Sequence, residues 1–174
     1  GNAHVHGMTA MINDPEGTCI RAVVDEKANM RSEEARTGRF WDELRTHDVE
    51  AAKKFYSNVF GWRYREVALG NGLKYTFAHR GTTAIAGLIQ WDGRIAAHWM
   101  PCLHVEDFDE AIDSFNKVGF RAVSPPHELS PLGRLATFLG PETESDRRLR
   151  PLSQPLISIH DFSCRSRFRE LITP

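Results

Sequence analysis

Residues 44–61 read LRTHDVEAAKKFYSNVFG, and a matching stretch at 103–119 reads LHVEDFDEAIDSFNKVG. Each copy has a strand-like start, an aspartate (Asp48 or Asp107), a run with apolar residues at helical spacing, and a closing glycine. An aspartate before a helix accepts a backbone N–H of the first turn, and a glycine ends a helix readily because it adopts the left-handed conformation. The sequence therefore predicts two similar strand–helix modules, with a natural place for a site in the space that they enclose.

Strand-like segments surround both predicted helices. They are Phe40–Thr46, Arg63–Leu69, Leu73–His79 and Thr83–Gln90 in the first module, and Trp99–Val105, Arg121–Val123, Leu135–Leu139 and a candidate at Leu156–Phe162 in the second. Glycine-containing turns at 70–72 and 80–81 separate neighbouring strands, as hairpin turns do. The order β-α-β-β-β occurs twice, so the predicted fold class is α+β, with the helices on one side of each sheet.

Composition and charge exclude several classes of protein. The chain has 174 residues and a formal net charge of −1, which gives no electrostatic reason to expect a nucleic acid or a membrane surface as partner. Its apolar runs are far too short to span a bilayer. Three widely spaced cysteines, Cys19, Cys102 and Cys164, predict reduced thiols and a cytoplasmic protein.

Several short motifs resemble the opening of a domain of the glyoxalase/bleomycin-resistance/dioxygenase superfamily, also called vicinal oxygen chelate proteins. They are WDELRTHD at 41–48, the alanine pair at 51–52, FY at 55–56 and VFGW at 59–62. The second module is similar to the partner half of such a domain, and the resemblance covers about residues 39–142. It implies paired βαβββ modules whose sheets curl around a cavity, with the helices on the outer face.

The resemblance also divides the chain. Residues 39–162 are predicted to form the glyoxalase/bleomycin-resistance-like domain, with modules at about 39–92 and 95–162, and residues 163–174 a tail. Residues 1–38 are predicted to be a hairpin and linker, because the turn DPEG at 14–17 resembles the Asp-Pro-x-Gly turn that closes such a domain.

The N-terminal hairpin has several possible roles. The closing strand expected after Pro141 is degraded, so the hairpin is predicted to fill that gap, either in its own chain or swapped into a partner. A homodimer is therefore expected. The alternatives are an unrelated N-terminal hairpin, or one domain of a tandem protein whose site needs the missing half.

Metal-dependent members of the superfamily place a histidine on the first strand of each module and a glutamate on closing strands. The corresponding positions here are Trp41, Met100, Arg21 and a position near Ala86. Tryptophan and arginine do not bind divalent metals in ordinary sites, and a thioether is a poor ligand for hard ions. The sequence therefore predicts no metal and no cofactor, and puts the glyoxalase and ring-cleaving reactions of the superfamily in doubt.

Strand alternation predicts which side chains face the enclosed space. Leu44 and Leu103 are expected to pack against the helices, so their sequence neighbours point to the opposite face. Six residues are predicted to line a ligand site there: Trp41, Glu43, Arg45, Met100, Cys102 and His104. This mixture of rings, a thiol and a few polar groups suits a small organic ligand with aromatic character.

Two functions from different classes fit these residues. The first is a binding protein without metal that sequesters a small, partly aromatic ligand stoichiometrically. The alternative is a lyase, isomerase or dioxygenase acting on a small organic substrate, either metal-dependent or using Glu43 or His104 in acid–base catalysis. Structural roles compete with both, since Glu43 and Arg45 can pair with each other and Cys102 can be an inert buried thiol. No catalytic residue is assigned.

Overall fold

The computed structural model describes residues 9–23, 40–69, 72–93, 95–128, 133–140 and 156–161. The elements are β1 (Thr9–Asn13), β2 (Cys19–Val23), β3 (Phe40–Thr46), α1 (Val49–Phe60), β4 (Arg63–Ala68), β5 (Lys74–Arg80), β6 (Thr83–Gln90), β7 (His98–His104), α2 (Phe108–Lys117), β8 (Arg121–Ala122), β9 (His127–Glu128), β10 (Arg134–Leu139) and β11 (Leu156–Asp161). The predicted linker at 26–38, the tail at 163–174 and Cys164 lie outside the described residues.

Two βαβββ modules join into one curled sheet of nine strands within the described part of the chain. The strand order is β4-β5-β6-β3-β7-β11-β10-β8, with β9 paired to β10. The modules meet at the antiparallel pair β3–β7. In each module the last strand runs parallel to the first, β6 beside β3 and β11 beside β7. The predicted α+β class with paired βαβββ modules is confirmed.

Helix α1 begins and ends at the predicted residues. The Asp48 side chain accepts a hydrogen bond from the Ala51 backbone N–H, and Gly61 ends the helix with φ of 67°. Ala52 and Tyr56 are buried against Leu44 of β3 and against strands β5 and β6. Val59 continues the helical spacing of this stripe, but it is 44% exposed. Trp62 instead packs against these buried residues and stacks on Tyr56, with ring centroids 5.1 Å apart.

Helix α2 repeats this arrangement in the second module. Asp107 caps it by accepting from the Glu110 backbone N–H. Its apolar stripe, led by Phe108, packs against Leu103 of β7 and Phe138 of β10. Both helices therefore lie on the same side of the sheet as Leu44 and Leu103, which is the outer face that alternation predicted.

The closing strand of the second module is β11, and this corrects the own-chain form of the prediction for the N-terminal hairpin. β11 lies between β7 and β10 and pairs with both. Strands β1 and β2 form a separate two-stranded sheet, so among the described residues they do not fill the gap after Pro141. The prediction depended on a degraded turn motif, whereas the pairing partners β7 and β10 decide which segment closes the sheet.

The hairpin instead contacts the first module through its turn. Asp14 is buried, and its Oδ1 accepts from the backbone N–H groups of Glu16 at 3.0 Å and Thr18 at 2.8 Å. The Tyr56 hydroxyl donates to Asp14 Oδ2 at 3.1 Å, and Trp99 Nε1 donates to the Tyr56 oxygen at 3.2 Å. A chain of hydrogen bonds thus joins the turn to α1 and β7.

Glu16 and His47 form a second contact between this turn and the first module. The Glu16 carboxylate accepts hydrogen bonds from the Thr46 hydroxyl and from the His47 backbone N–H, and His47 Nδ1 lies 2.8 Å from Glu16 Oε1. The hydrogen bond to Glu16 and the Gly93 carbonyl raise the pKa of His47. Partial burial of Glu16 raises its pKa, but the hydrogen bonds from Thr46 and His47 outweigh this effect, and the pKa of Glu16 is lowered.

The Glu16–His47 contact is expected to stabilise the fold in a defined pH window. Because the pKa of His47 is raised, its contribution to folding stability is complete below the ordinary histidine pKa of about 6.5. This contribution is lost as pH rises through the pKa of His47 in the folded protein. The lowered pKa of Glu16 means that its contribution is lost only as pH falls below about 4. We expect His47→Gln to destabilise the protein more at about pH 6 than at about pH 9, measured by urea unfolding at both values.

The matched control for this prediction is the same substitution in a Glu16→Gln background. There the effect of His47→Gln should be nearly independent of pH, because the partner that raises the pKa of His47 is gone. An equal cost of His47→Gln at both pH values in the native background would contradict the prediction.

In the described part of the chain, no helix is long and apolar enough to cross a membrane.

Candidate functional site

The sheet face opposite the helices, called the inner face below, is buried and carries polar side chains among aromatic ones. Leu44 and Leu103 pack toward the helices, so Glu43 and Cys102 point the other way. Glu43 is 1% exposed. The inner face brings together Trp41, Glu43, Arg45, Tyr75, Phe77, Met100, Cys102, Thr137 and Ser158, through the contacts described below.

Glu43 and Arg45 form an ion pair at the centre of this face. Arg45 Nε donates to Glu43 Oε1 at 3.1 Å, and both side chains are at least nine-tenths buried. The guanidinium also lies over the Trp91 ring, 5.1 Å from its centroid. The second carboxylate oxygen, Glu43 Oε2, is buried and has no hydrogen-bond partner among the described residues. The pair therefore leaves one strong acceptor unsatisfied.

Hydrogen bonds continue from Arg45 across the second module. Arg45 Nη2 lies 3.5 Å from Thr137 Oγ1, which is 3.0 Å from Ser158 Oγ. Ser158 Oγ in turn donates to the sulfur of Met100 at 2.8 Å. Strands β3, β10, β11 and β7 each contribute one of these residues. The polar groups of both modules thus converge on one network, which alternation alone did not reveal for Thr137 and Ser158.

Tyr75 is an inner-face residue that the sequence analysis missed. Its hydroxyl accepts a hydrogen bond from Trp41 Nε1 at 2.8 Å. Burial, together with the nearby charge of Glu43, holds the pKa of Tyr75 well above its ordinary value. The ring reaches this position by lying across Gly87 of β6, where a Cβ atom would stand 2.5 Å from Tyr75 Cζ. A glycine inside an apolar strand is the signal that could have indicated such a close approach.

Cys102 is not an activated nucleophile. Its side chain is fully buried, and burial and the charge of Glu43 raise the pKa of the thiol well above its ordinary value. A thiol in this state stays protonated near neutral pH, and the thiolate is the reactive form. The structure therefore agrees with an inert buried thiol at this position.

His104 lies away from the carboxylate. Glu43 pairs with Met100 across the strands β3 and β7. His104 is four residues further along β7, which is roughly 13 Å at about 3.3 Å per residue. The structure therefore brings Glu43, Arg45, Trp41, Met100 and Cys102 together and leaves His104 at the end of its strand.

The inner face does not fit a divalent metal ion. One oxygen of Glu43 pairs with Arg45, the Met100 sulfur accepts from Ser158, and the Cys102 thiol is held protonated. Ala86, near an expected ligand position, packs on the outer face. No three His, Cys, Asp or Glu side chains converge on one point in the described ranges. Hard ions prefer several free oxygen ligands, so we derive no step through a metal.

A cleft of about 330 Å³ lies beside the start of α1 rather than on the inner face. His47, Asp48, Glu50, Glu66, Lys74 and Gln90 are among its lining residues. One of its carboxylates is already paired, since Lys53 and Lys74 both contact Glu66 and lower the pKa of Glu66 to about 2. Glu66 is therefore not a free carboxylate in this cleft.

Two curated relatives share sequence with this chain. Each is named "Putative glyoxylase CFP32", one from Mycobacterium bovis and one from Mycobacterium tuberculosis. Each is 29% identical over 107 residues, which cover 58% of this chain and 41% of the relative. The chain thus spans less than half the length of the curated relatives that it matches.

Solved structures with a similar arrangement have little sequence identity to the chain. A methylmalonyl-CoA epimerase from Mycobacterium tuberculosis aligns with a TM-score of 0.47 and 15% identity, covering 72% of this chain and 87% of that one. The hypothetical protein BH1468 from Bacillus halodurans aligns with a TM-score of 0.49 and 14% identity, covering 71% and 93%.

The family assignment comes from a match over both helices and over the strands from β3 to β10. The family model described as Glyoxalase/Bleomycin resistance protein/Dioxygenase superfamily matches residues 40–142, which is more than half of the chain. The matched range begins with β3 and ends just after β10. The chain belongs to the glyoxalase/bleomycin resistance protein/dioxygenase superfamily.

Proposed function

We propose that this protein binds a small, partly aromatic organic ligand on the inner face, without a metal ion, and sequesters it stoichiometrically. The observation that carries the proposal is Glu43 Oε2, which is buried and meets no donor in ordinary hydrogen-bond geometry among the described residues, although the Tyr75 hydroxyl lies close enough to the carboxylate to interact with it weakly. Leaving such an acceptor unpaired costs about 1–3 kcal/mol, and more for a charged group. A ligand that donates a hydrogen bond to Oε2 would recover this cost.

The surrounding side chains support the same function. Arg45 binds Oε1 and so orients the carboxylate with Oε2 left over. Trp41 and Phe77 supply aromatic surface, with ring centroids 5.9 Å apart in an edge-to-face arrangement. Apolar walls with a few fixed polar groups are typical of sites for small organic molecules.

An enzymatic function is the second candidate, and the same oxygen favours it. A buried carboxylate can act as a general base when it can reach a proton of the substrate. We assign this role to Glu43 rather than to His104, which lies four residues further along β7 from the residue that pairs with Glu43. Turnover separates the two functions: a sequestered ligand is recovered unchanged after long incubation, whereas a substrate is converted beyond one equivalent of protein.

The ligand contact with Glu43 is tested by thermal shift. We expect members of a library of small aromatics with hydroxyl or amine donors to raise the Tm of the native protein. Glu43→Gln should weaken their binding by at least about tenfold, since a hydrogen bond to a charged group contributes about 1.5–3 kcal/mol. Shifts are compared with each variant's own Tm without ligand, which removes any change in intrinsic stability.

Asp42→Asn is the matched control, because Asp42 is the neighbouring carboxylate on the same strand but alternation turns it to the opposite face, where it keeps contact with solvent although partial burial raises its pKa. This variant should bind the same compounds as the native protein. Divalent metals alone should give no comparable shift. Equal loss of binding in both variants, or a library without any stabilising aromatic compound, would contradict the proposal.

The homodimer, with or without swapped N-terminal strands, and the cytoplasmic location stay predictions.

A further inference from the structure

The Tyr75 side chain occupies a position on the inner face that is shaped for a phenol ring. β6 lies between Tyr75 on β5 and Glu43 on β3. An ordinary side chain at Gly87 would block the ring, since even a Cβ atom would stand 2.5 Å from Tyr75 Cζ and closer to its hydroxyl oxygen. Gly87 therefore provides a flat floor on which an aromatic ring can cross from β5 to β3.

The polar end of this position offers one donor and one acceptor. Trp41 Nε1 donates to the Tyr75 oxygen at 2.8 Å, which leaves the phenol's own proton available. The Glu43 carboxylate is close enough to influence the Tyr75 hydroxyl, yet Oε2 has no hydrogen bond of ordinary geometry among the described residues. Tyr75 thus accepts the hydrogen bond that Trp41 Nε1 offers, but it does not satisfy Glu43 Oε2 completely.

The apolar cluster around Tyr75 has fewer partly buried residues packed against it than either of the other two clusters in the described core. Its buried members are Leu69, Tyr75 and Phe77, and Trp41 and Val67 pack against them while remaining partly exposed. Regions with few buried apolar contacts open at a lower free energy than the rest of a fold. We therefore expect the Tyr75 ring, although buried, to be displaced at a lower free energy than the residues packed under the two helices.

We propose that Tyr75 is an internal stand-in for the ligand, and that the position of its ring is a subsite for an aromatic ring bearing a hydroxyl group. In the bound state Tyr75 moves away, and the ligand hydroxyl accepts from Trp41 Nε1 and donates to Glu43 Oε2 while its ring lies on Gly87. This inference rests on the proposed function and names the class of ligand: phenols, as distinct from aromatic molecules without a hydroxyl group.

The test uses a chain in which Cys102 is the single thiol, made by Cys19→Ser and Cys164→Ser. Cys102 is fully buried and lies near Tyr75, so its modification by methyl methanethiosulfonate reports opening of the inner face. Cys102 in Tyr75→Ala should be labelled at least about tenfold faster than in the parent.

The probe is p-cresol, which is the tyrosine side chain as a free molecule. It should slow this labelling and raise the Tm at a concentration at least about tenfold lower than toluene needs, because toluene lacks the hydroxyl group.

Tyr75→Phe keeps the ring, and so answers the question even if Tyr75→Ala does not fold. The phenylalanine ring loses the Trp41 hydrogen bond and is easier to displace, so p-cresol should protect Cys102 in Tyr75→Phe at lower concentration than in the parent. Equal effects of p-cresol and toluene in Tyr75→Ala, or no effect of p-cresol in Tyr75→Phe, would overturn the proposal.

Failure of this inference is distinguishable from failure of the proposed function. If the compound screen finds ligands that depend on Glu43 but carry no hydroxylated ring, and Tyr75 variants bind them unchanged, only the phenol subsite is wrong. If p-cresol binds at the position of the missing ring in Tyr75→Ala but no compound binds the native chain, the subsite is correct and the sequestering role is wrong.

Discussion

Arg45→Met is expected to lower the free energy of unfolding by about 3–5 kcal/mol. The substitution leaves the Glu43 carboxylate buried without its cation, and Glu43 is 1% exposed, so water cannot replace the lost partner. It also removes the cation that lies over the Trp91 ring and the donor to Thr137. Urea unfolding near neutral pH measures the change.

Two further variants show whether the buried charge is the cause. Glu43→Leu combined with Arg45→Met should recover most of the loss, because replacing both members of a buried pair by apolar groups is often neutral or stabilising. Arg63→Met, on the exposed face of β4, should change stability by less than about 0.5 kcal/mol. A double variant as unstable as Arg45→Met alone would contradict the interpretation.

Gly87→Ala is expected to destabilise the protein by about 1–3 kcal/mol, the range for overpacking a close-packed interior. The added methyl group would overlap the phenol of Tyr75 and force the ring from the β6 backbone. The displaced ring would also lose its hydrogen bond from Trp41. The substitution leaves the backbone conformation unstrained, since Gly87 is not among the glycines with positive φ.

A double-mutant cycle isolates the clash with Tyr75. In a Tyr75→Ala background, Gly87→Ala should cost less than about 0.5 kcal/mol, because the ring that the methyl group would meet is absent. The coupling energy, measured by urea unfolding of the four proteins, should therefore be close to the whole cost of the single substitution. Additive costs would show that the alanine disturbs something other than Tyr75.

The sequence predicted most of the fold because short-range signals agree with one another there. The caps at Asp48 and Asp107, the stop at Gly61 and the strand spans Phe40–Thr46 and Thr83–Gln90 were all predicted from local pattern. Strand β11 was a candidate, but its place in the sheet was not predictable. The segment that closes a sheet is chosen by pairing over long sequence separations, about which a turn motif near Pro141 says little.

The candidate site was predictable only along single strands. Period-2 alternation assigned Glu43, Arg45 and Cys102 to the face opposite the helices, where they lie. It could not reveal contacts that cross strands, and Tyr75 reaches Trp41 from two strands away because Gly87 leaves room. Thr137 and Ser158 were missed for the same reason, since each joins the network through residues far away in sequence. Their roles in ligand binding stay predictions.

The position of β11 has a consequence for the order of folding. Every strand pair of the first module joins residues within β3–β6, so that module can assemble as soon as it leaves the ribosome. The second module cannot, because Ser158 and Met100 are 58 positions apart and β11 must insert between β7 and β10. Non-local pairings of this kind form slowly. While β11 is being synthesised, β7 and β10 therefore carry open edges that can pair with other chains.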